Sequence, residues 1–388
     1  MNRRHFLSHA STLAVIGGVP GLWQRAAAAA GPEPDGPVLV VVELTGGNDG
    51  LNTVIPYRDD AYHRARPTLR IASDKVRKLD DTLGLHPALS GLHKLWEEGT
   101  LRVLMNAGYP KPSRSHTRAL EIWQSGDLAP TPTTGWLGRV SDGAVDRAPS
   151  CFVGPGAVPL AVRGRAVAPF AIADVAGTTL RPGARFLPLA DRGGVSPLAG
   201  RVAQAMATAG ALSARLETLR QDEPRGERDS LEAKLSTIAR LIKAGVESRV
   251  YYTALDGFDT HASQQYAHED LLRKLSTALS RFQADLKASK LDDRVVVLVF
   301  SEFGRRIEEN GSKGTDHGAA APVFLLGTPV AGGLHGGVPD LATTDEGDVP
   351  YQLDFRDLYA SLLGDWLRVN PASVIGRDRA NLIPLFRT

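Results

Sequence analysis

Two long apolar runs, Val38–Leu44 and Val295–Phe300, dominate the hydrophobic pattern of the chain. Neither follows the alternation of a half-exposed strand, so each reads as a strand buried on both faces, the habit of parallel sheets. Leu101–Met105, Val250–Leu255 and Val323–Leu326 predict further strands. Between these runs the apolar spacing changes to that of helices. Leu89, Leu92, Leu95 and Trp96 share one face, Leu231, Leu235, Ile238 and Ile242 another, and Phe355 to Leu367 forms a third such segment. Strands alternating with helices predict an α/β fold with a doubly wound, mostly parallel sheet flanked by helices. Residues 127–200 break the pattern. They are rich in Pro, Gly and Ala with weak periodicity, and predict an insertion or cap over the sheet. The polar segment 221–228 reads as a solvated loop, and no internal repeat is visible.

The N-terminus carries a different signal. Arg3-Arg4-His5-Phe6-Leu7 leads into a mild apolar stretch, Ser11 to Leu22, and then into the Ala26–Ala30 run with its A-x-A possibilities. This arrangement predicts a twin-arginine signal peptide over residues 1–30, recognition by the twin-arginine translocase, and a periplasmic or secreted protein. The stretch is too short for a membrane span and is interrupted by Gly17-Gly18 and Pro20, so no transmembrane anchor is expected after its removal.

Losing residues 1–30 deletes three arginines and no acid, which takes the formal net charge from +2 to −1. A near-neutral chain offers no electrostatic reason to bind nucleic acid. The roughly 358 remaining residues suit one large α/β domain, placed at 36–385. Cys151 is the only cysteine, so intrachain disulfides, thiolate metal cages and iron–sulfur clusters are excluded.

Four polar turns at strand ends hold the candidate chemistry. The first, Gly46-Gly47-Asn48-Asp49-Gly50, lets glycines bend the backbone around an amide and a carboxylate. In the second, Ser113-Arg114-Ser115-His116 opens a helix, so Ser113 or Ser115 is either an N-cap or a hydroxyl placed where helix amides favour an anion. His116 is a candidate base or ligand there, although neighbours on a helix point apart and direct pairing with Ser115 is not expected. The third, Asp256-Gly257-Phe258-Asp259-Thr260-His261, has the composition of a metal half-site. In the fourth, Glu302 ends the most hydrophobic strand and requires solvent, a cation or a partner such as Arg305 or Arg306. Asp316-His317 precedes the last of the predicted strands.

The order of these motifs is recognisable. Gly46-Gly47-Asn48-Asp49-Gly50-Leu51-Asn52, Ser113-Arg114-Ser115-His116, Phe258-Asp259-Thr260-His261, Ser301-Glu302-Phe303-Gly304-Arg305 and Thr315-Asp316-His317-Gly318 resemble an exported bacterial family catalogued as domain of unknown function 1501. That family is distantly similar to the alkaline phosphatase–sulfatase superfamily. The resemblance implies an alkaline-phosphatase-like sheet, with Asp49, Asp259 (or Asp256), His261 and His317 as metal ligands and Ser115 as nucleophile. It also brings Glu302 and Asp316 into the candidate metal set, and gives Asn48 and Arg114 the task of orienting an anion. Where the superfamily shows Asp-His after its penultimate strand, this chain has Glu302-Phe303, so one nitrogen ligand is missing from the expected set.

Two functions follow as expectations. One is a hydrolase or transferase of phosphate or sulfate esters that uses a divalent metal (zinc, calcium, magnesium or manganese), with an anionic ester as substrate. The other is a non-catalytic envelope or glycan- or partner-binding protein on a degenerate version of the same fold. A redox passenger is disfavoured by the single cysteine and the absence of a dinucleotide glycine fingerprint. The two leading readings part on geometry. The first needs the acids and histidines to converge with Ser115 beside them; the second gains if Glu302 pairs with Arg305 and His317 turns outward.

Overall fold

The computed structural model describes residues 36–143, 150–172 and 229–387, apart from positions 168, 247, 343, 345, 379 and 380. The expected signal peptide at 1–30, the expected loop at 221–228 and residues 144–149 and 173–200 of the Pro/Gly-rich stretch lie outside the described residues.

Strand β1 (Val38–Thr45) occupies the middle of the main sheet, in parallel register with β8 (Val250–Asp256) on one side and β9 (Val295–Ser301) on the other. Its side chains explain the apolar run. Val38, Val40, Val42 and Leu44 enter one core, whereas Leu39 and Val41 enter a second core on the opposite face. A strand between two cores cannot present a polar face, and the non-alternating pattern follows. Glu43 is the exception: Gln124 and Tyr252 donate to its carboxylate, and burial pushes its pKa up against those bonds.

Beyond β8 the sheet continues in parallel through β6 (Cys151–Val153) and β7 (Phe170–Ile172). On the other flank β10 (Ala321–Leu326) runs antiparallel to both β9 and β5 (Leu101–Gly108). Two short strands, β11 (Gly333–His335) and β12 (Leu353–Asp354), pair in parallel with β5. A separate small sheet joins β2 (Val54–Ile55), β4 (Gly84–Leu85) and β3 (Arg77–Lys78). The result is an α/β fold on a mostly parallel sheet, as the apolar pattern predicts.

Helices cover both faces. On one lie α2 (Ser90–Glu97), α5 (Leu231–Lys243) and α6 (Gln264–Ala288), which contribute Leu92, Leu235 and Leu275 to the first core. On the other lie α3 (His116–Ser125), α4 (Trp136–Asp142) and α7 (Phe355–Ser361), which contribute Trp123, Trp136 and Tyr359 to the second. Short helices α1 (Asp60–Ala65) and α8 (Pro371–Ile375) sit at the periphery. Of the insertion or cap expected over 127–200, the described part is not a cap lying over the sheet. That part supplies α4, β6 and β7, which are a core helix and two strands of the main sheet. Short strands and a seven-residue helix give too few repeats for periodicity to register.

Two core histidines are expected to make folding pH-dependent. His86 and His268 are buried with their rings 6.2 Å apart, and burial lowers the pKa of each to about 4. Both folded values lie below the unfolded one, so the unfolded chain binds more protons over that interval and stability falls as pH drops through it. Urea unfolding from about pH 7 to about pH 5 should show a loss of about 2 kcal/mol per histidine, and His268→Gln should flatten the dependence. An equally steep profile in the variant would place the effect elsewhere.

Candidate metal centre

The centre is assembled from the carboxyl ends of β1, β8 and β9, the N-terminus of α3, and the loop between β9 and β10. This is where open α/β sheets gather their chemistry, because the strands end together and the connecting turns face one crevice. Asp259 lies just past β8. Its Oδ1 is 3.0 Å from Nε2 of His261, 3.1 Å from Nε2 of His317 and 3.5 Å from Nε2 of His116. The ligating atoms of His116, Asp259 and His317 lie within 4.8 Å of one another, and His261 Nε2 approaches His317 Nε2 to 2.9 Å.

The hydrogen bonds on the far side of each ring decide what the inner nitrogens are. His317 Nδ1 lies 2.8 Å from the main-chain carbonyl of Arg114, His116 Nδ1 is 2.8 Å from Glu302 Oε1, and His261 Nδ1 is 3.2 Å from Asp316 Oδ1. All three partners are acceptors, so Nδ1 carries the proton and Nε2 turns a lone pair inward. Two such lone pairs 2.9 Å apart attract only through a shared proton or a cation. His116 Nε2 is, in addition, a buried nitrogen with no hydrogen-bond partner. The inward nitrogens of His116 and His317 beside the Asp259 carboxylate, each ring fixed by an outer acceptor, fit a divalent metal ion, and His261 flanks Asp259 and His317 outside that cluster.

Asp259 is suited to the same task. Burial works to raise its pKa, but Arg305 donates to Oδ1 at 2.7 Å and the group is held at about 2, an ionised carboxylate at any working pH. Phe303 packs on two of the histidines, with ring centroids 4.9 Å from His116 and 4.8 Å from His317.

The candidate residues therefore separate. Asp259, His261 and His317 come together. Glu302 and Asp316 stand one step back: each holds the Nδ1 of one of these histidines. Glu302 is fully buried, and its Oε1 also accepts from the amide of Gly46 at 2.9 Å. Asp49 does not join the group. Both its oxygens are taken by Arg66, at 2.6 and 3.1 Å, and Gln264 donates to it as well. Burial opposes the charge on Asp49, yet Arg66 holds its pKa at about 2. Asn48 is buried beside it, with Oδ1 against Thr53 and His268. The Arg114 guanidinium turns to Asp348 and Glu346; it is the main-chain carbonyl of this residue that reaches the centre. Ser115 is exposed at the N-cap of α3, and its side chain makes no capping hydrogen bond.

His116, a candidate base or ligand from the sequence but outside the ligand set that the resemblance implies, reaches the centre, and Arg305, expected only as a partner for Glu302, reaches it too. The substitution of Phe303 for the expected histidine was the available signal. A missing nitrogen ligand must come from another element, and the Ser-Arg-Ser-His motif carries a histidine.

Among the described residues no helix is long and apolar enough to cross a membrane. The model of a family described as "Protein of unknown function (DUF1501)" matches residues 37–377. No curated protein matches the chain. Among solved structures, the chain is similar to a protein in the alkaline phosphatase superfamily from Vibrio parahaemolyticus, with 12% identity, coverage of 95% of this chain and 80% of that chain, and a TM-score of 0.40. It is similar to the PsFucS1 sulfatase from Pseudoalteromonas sp., with 12% identity, coverage of 100% and 78%, and a TM-score of 0.42. A third is the C-terminal periplasmic domain of EcEptC from Escherichia coli, in complex with Zn, at 13% identity, 77% and 74% coverage, and a TM-score of 0.37.

Proposed function

The chain belongs to the family of proteins of unknown function DUF1501, and from the geometry of its metal centre we propose that it is a single-metal hydrolase or transferase of phosphate or sulfate esters. The observation that carries the reading is the convergence of His116 and His317 on the Asp259 carboxylate, with His261 alongside and with Glu302, the Arg114 carbonyl and Asp316 fixing the three rings from behind. His116, Asp259 and His317 would hold the ion, with His261 the adjacent candidate for a further ligand. Imidazole nitrogens with a carboxylate oxygen suit zinc or a neighbouring transition metal; calcium and magnesium favour sites built from oxygen. When bound, such an ion supplies Lewis acidity towards an ester oxygen and a nearby hydroxyl.

Ser115 is the nucleophile in this reading. Its hydroxyl is not spent on capping α3, it precedes ligand His116 directly, and it stands at a helix N-terminus, where free amides favour an anionic ester. Its Oγ bonds to phosphorus or sulfur and loses its proton to solvent. The ester oxygen leaves and takes up a proton, and water or a second hydroxyl then accepts the group. The motif resemblance supports the same class of ester. Export by the twin-arginine route, read from residues 1–30, is part of the proposal.

The test is metal analysis of protein folded in the cell and purified without chelator, together with a screen of phosphate and sulfate esters. Wild type and Ser115→Ala should both carry about one equivalent of metal, with turnover lower by at least about 1,000-fold in the variant. The His261→Ala/His317→Ala protein should carry little metal. A metal-free wild type would end the catalytic reading. Metal without turnover of any ester would favour the envelope- or glycan-binding alternative.

A further inference from the structure

The Gly46–Gly47 turn draws attention in the sequence for the carboxylate of Asp49, yet what it gives the metal centre is main chain. Arg305, 1% exposed, reaches it from one side. Its Nε donates to the carbonyl of Gly47 at 2.7 Å and its Nη2 to that of Gly46. The same guanidinium donates to the carbonyls of Thr315 at 2.7 Å and Phe258 at 3.1 Å, and to Asp259 Oδ1 at 2.7 Å. From the other side Glu302 accepts the Gly46 amide while holding His116. One turn is thus gripped by the group that orients Asp259 and by the group that orients His116.

The turn has no room for side chains. Gly46 has a φ of +115°, and a Cβ there would lie 2.4 Å from the amide nitrogen of Asp259. Gly47 has a φ of +76°, and its Cβ would lie 2.3 Å from the ring of Phe303, which packs on His116 and His317. Both backbone conformations also disfavour any residue with a Cβ.

We infer that the Gly46–Gly47 turn, Arg305 and Phe303 form a bracket that sets the ligand arrangement before the ion arrives, with Arg305 as a positioning residue of the metal centre. The inference rests on the metal-centre reading above. Arg305 joins turns that follow three separate strands: 46–47 after β1, 258–259 after β8, and Thr315, two residues before His317, after β9. Without it, four main-chain carbonyls would meet at a buried point, beside the half-exposed Asp259 carboxylate, with no donor to satisfy them. Lysine cannot replace it, because one ammonium has three donors on a flexible stem and cannot span five acceptors.

The experiment is cobalt(II) titration of the folded metal-free protein, followed by visible absorption and competition with a chelator. Arg305→Met and Arg305→Lys should each bind about 10–100-fold more weakly than wild type, with an altered cobalt spectrum, and Gly47→Ala should behave similarly. Lower thermal stability with wild-type affinity and spectrum would make Arg305 merely structural and overturn the inference. Cobalt binding to neither wild type nor variant would instead overturn the metal-centre reading. Hydrogen exchange on wild type alone decides the case if the variants do not fold. Amides of 46–48 and 258–261 should be protected equally with and without metal, whereas protection that appears only on loading would mean that the ion orders the site.

Discussion

Replacing His116 with alanine is expected to lower metal affinity by more than about 100-fold, because an inner ligand contributes more than the outer partners whose loss costs about 10–100-fold. Glu302→Gln should give a smaller loss, about tenfold, since the amide oxygen can still accept from His116 Nδ1 but no longer carries charge. The turnover proposed for Ser115 should fall with the metal. Competition with a chromophoric chelator provides the affinities, and ester hydrolysis at saturating metal separates weak binding from defective chemistry. Undiminished metal in His116→Ala, beside a metal-free His317→Ala, would remove His116 from the ligand set. The reason to expect otherwise is the buried, unpartnered Nε2 of His116. Without a cation at that point the nitrogen is an unsatisfied acceptor, and such groups are rarely left so.

The second large effect is on stability and involves no metal. Asp49 and Arg66 are both fully buried and pair at 2.6 Å, and Arg66 also donates to the carbonyls of Ile307 and Arg306. Removing one member strands the other charge, so Arg66→Met should destabilise the protein by about 3–5 kcal/mol in urea unfolding. The double variant Asp49→Leu/Arg66→Met should recover most of that loss, because no buried charge is left without a partner. Metal affinity of the folded double variant should match wild type. If metal were lost from the double variant while its fold survived, Asp49 would return as a ligand and the separation of the two networks would be wrong. The pair also has its own acid signature. The folded pKa of Asp49, about 2, lies below the unfolded value, so the stabilisation is present above about pH 4 and is lost as pH falls towards the folded value.

These two expectations show where the sequence could be read directly. Apolar runs such as Val38–Leu44 and Val295–Phe300 determine strands buried on both faces, and helical spacing such as Leu231, Leu235 and Ile238 determines the cover. Both signals are local and repeat within a few residues. The α/β class, the five longer strands and the location of chemistry at strand ends follow from them. Elements too short to repeat are not legible in this way, and the described part of 127–200 became sheet strands and a core helix for that reason.

Residue types at the centre were also legible, because carboxylates and histidines in turns that end buried strands need a partner or a cation. Which partner each acquires depends on contacts between residues far apart in the chain. Asp49 finds Arg66 and leaves the site; Glu302 finds His116 and becomes its support; Arg305 passes over Glu302, three residues away, and reaches Asp259 and the carbonyls of the glycine turn. His116 carries the same signal as any histidine at a helix start until its ring meets Asp259 across the sheet's edge. Sequence by itself determined the strands, the helical cover and the kinds of groups at their ends, since short-range pattern encodes burial. Tertiary structure alone decided which groups meet at the centre, which hold those groups from behind and which are sealed in the core, since direction and partnership exist only once separate strands end side by side.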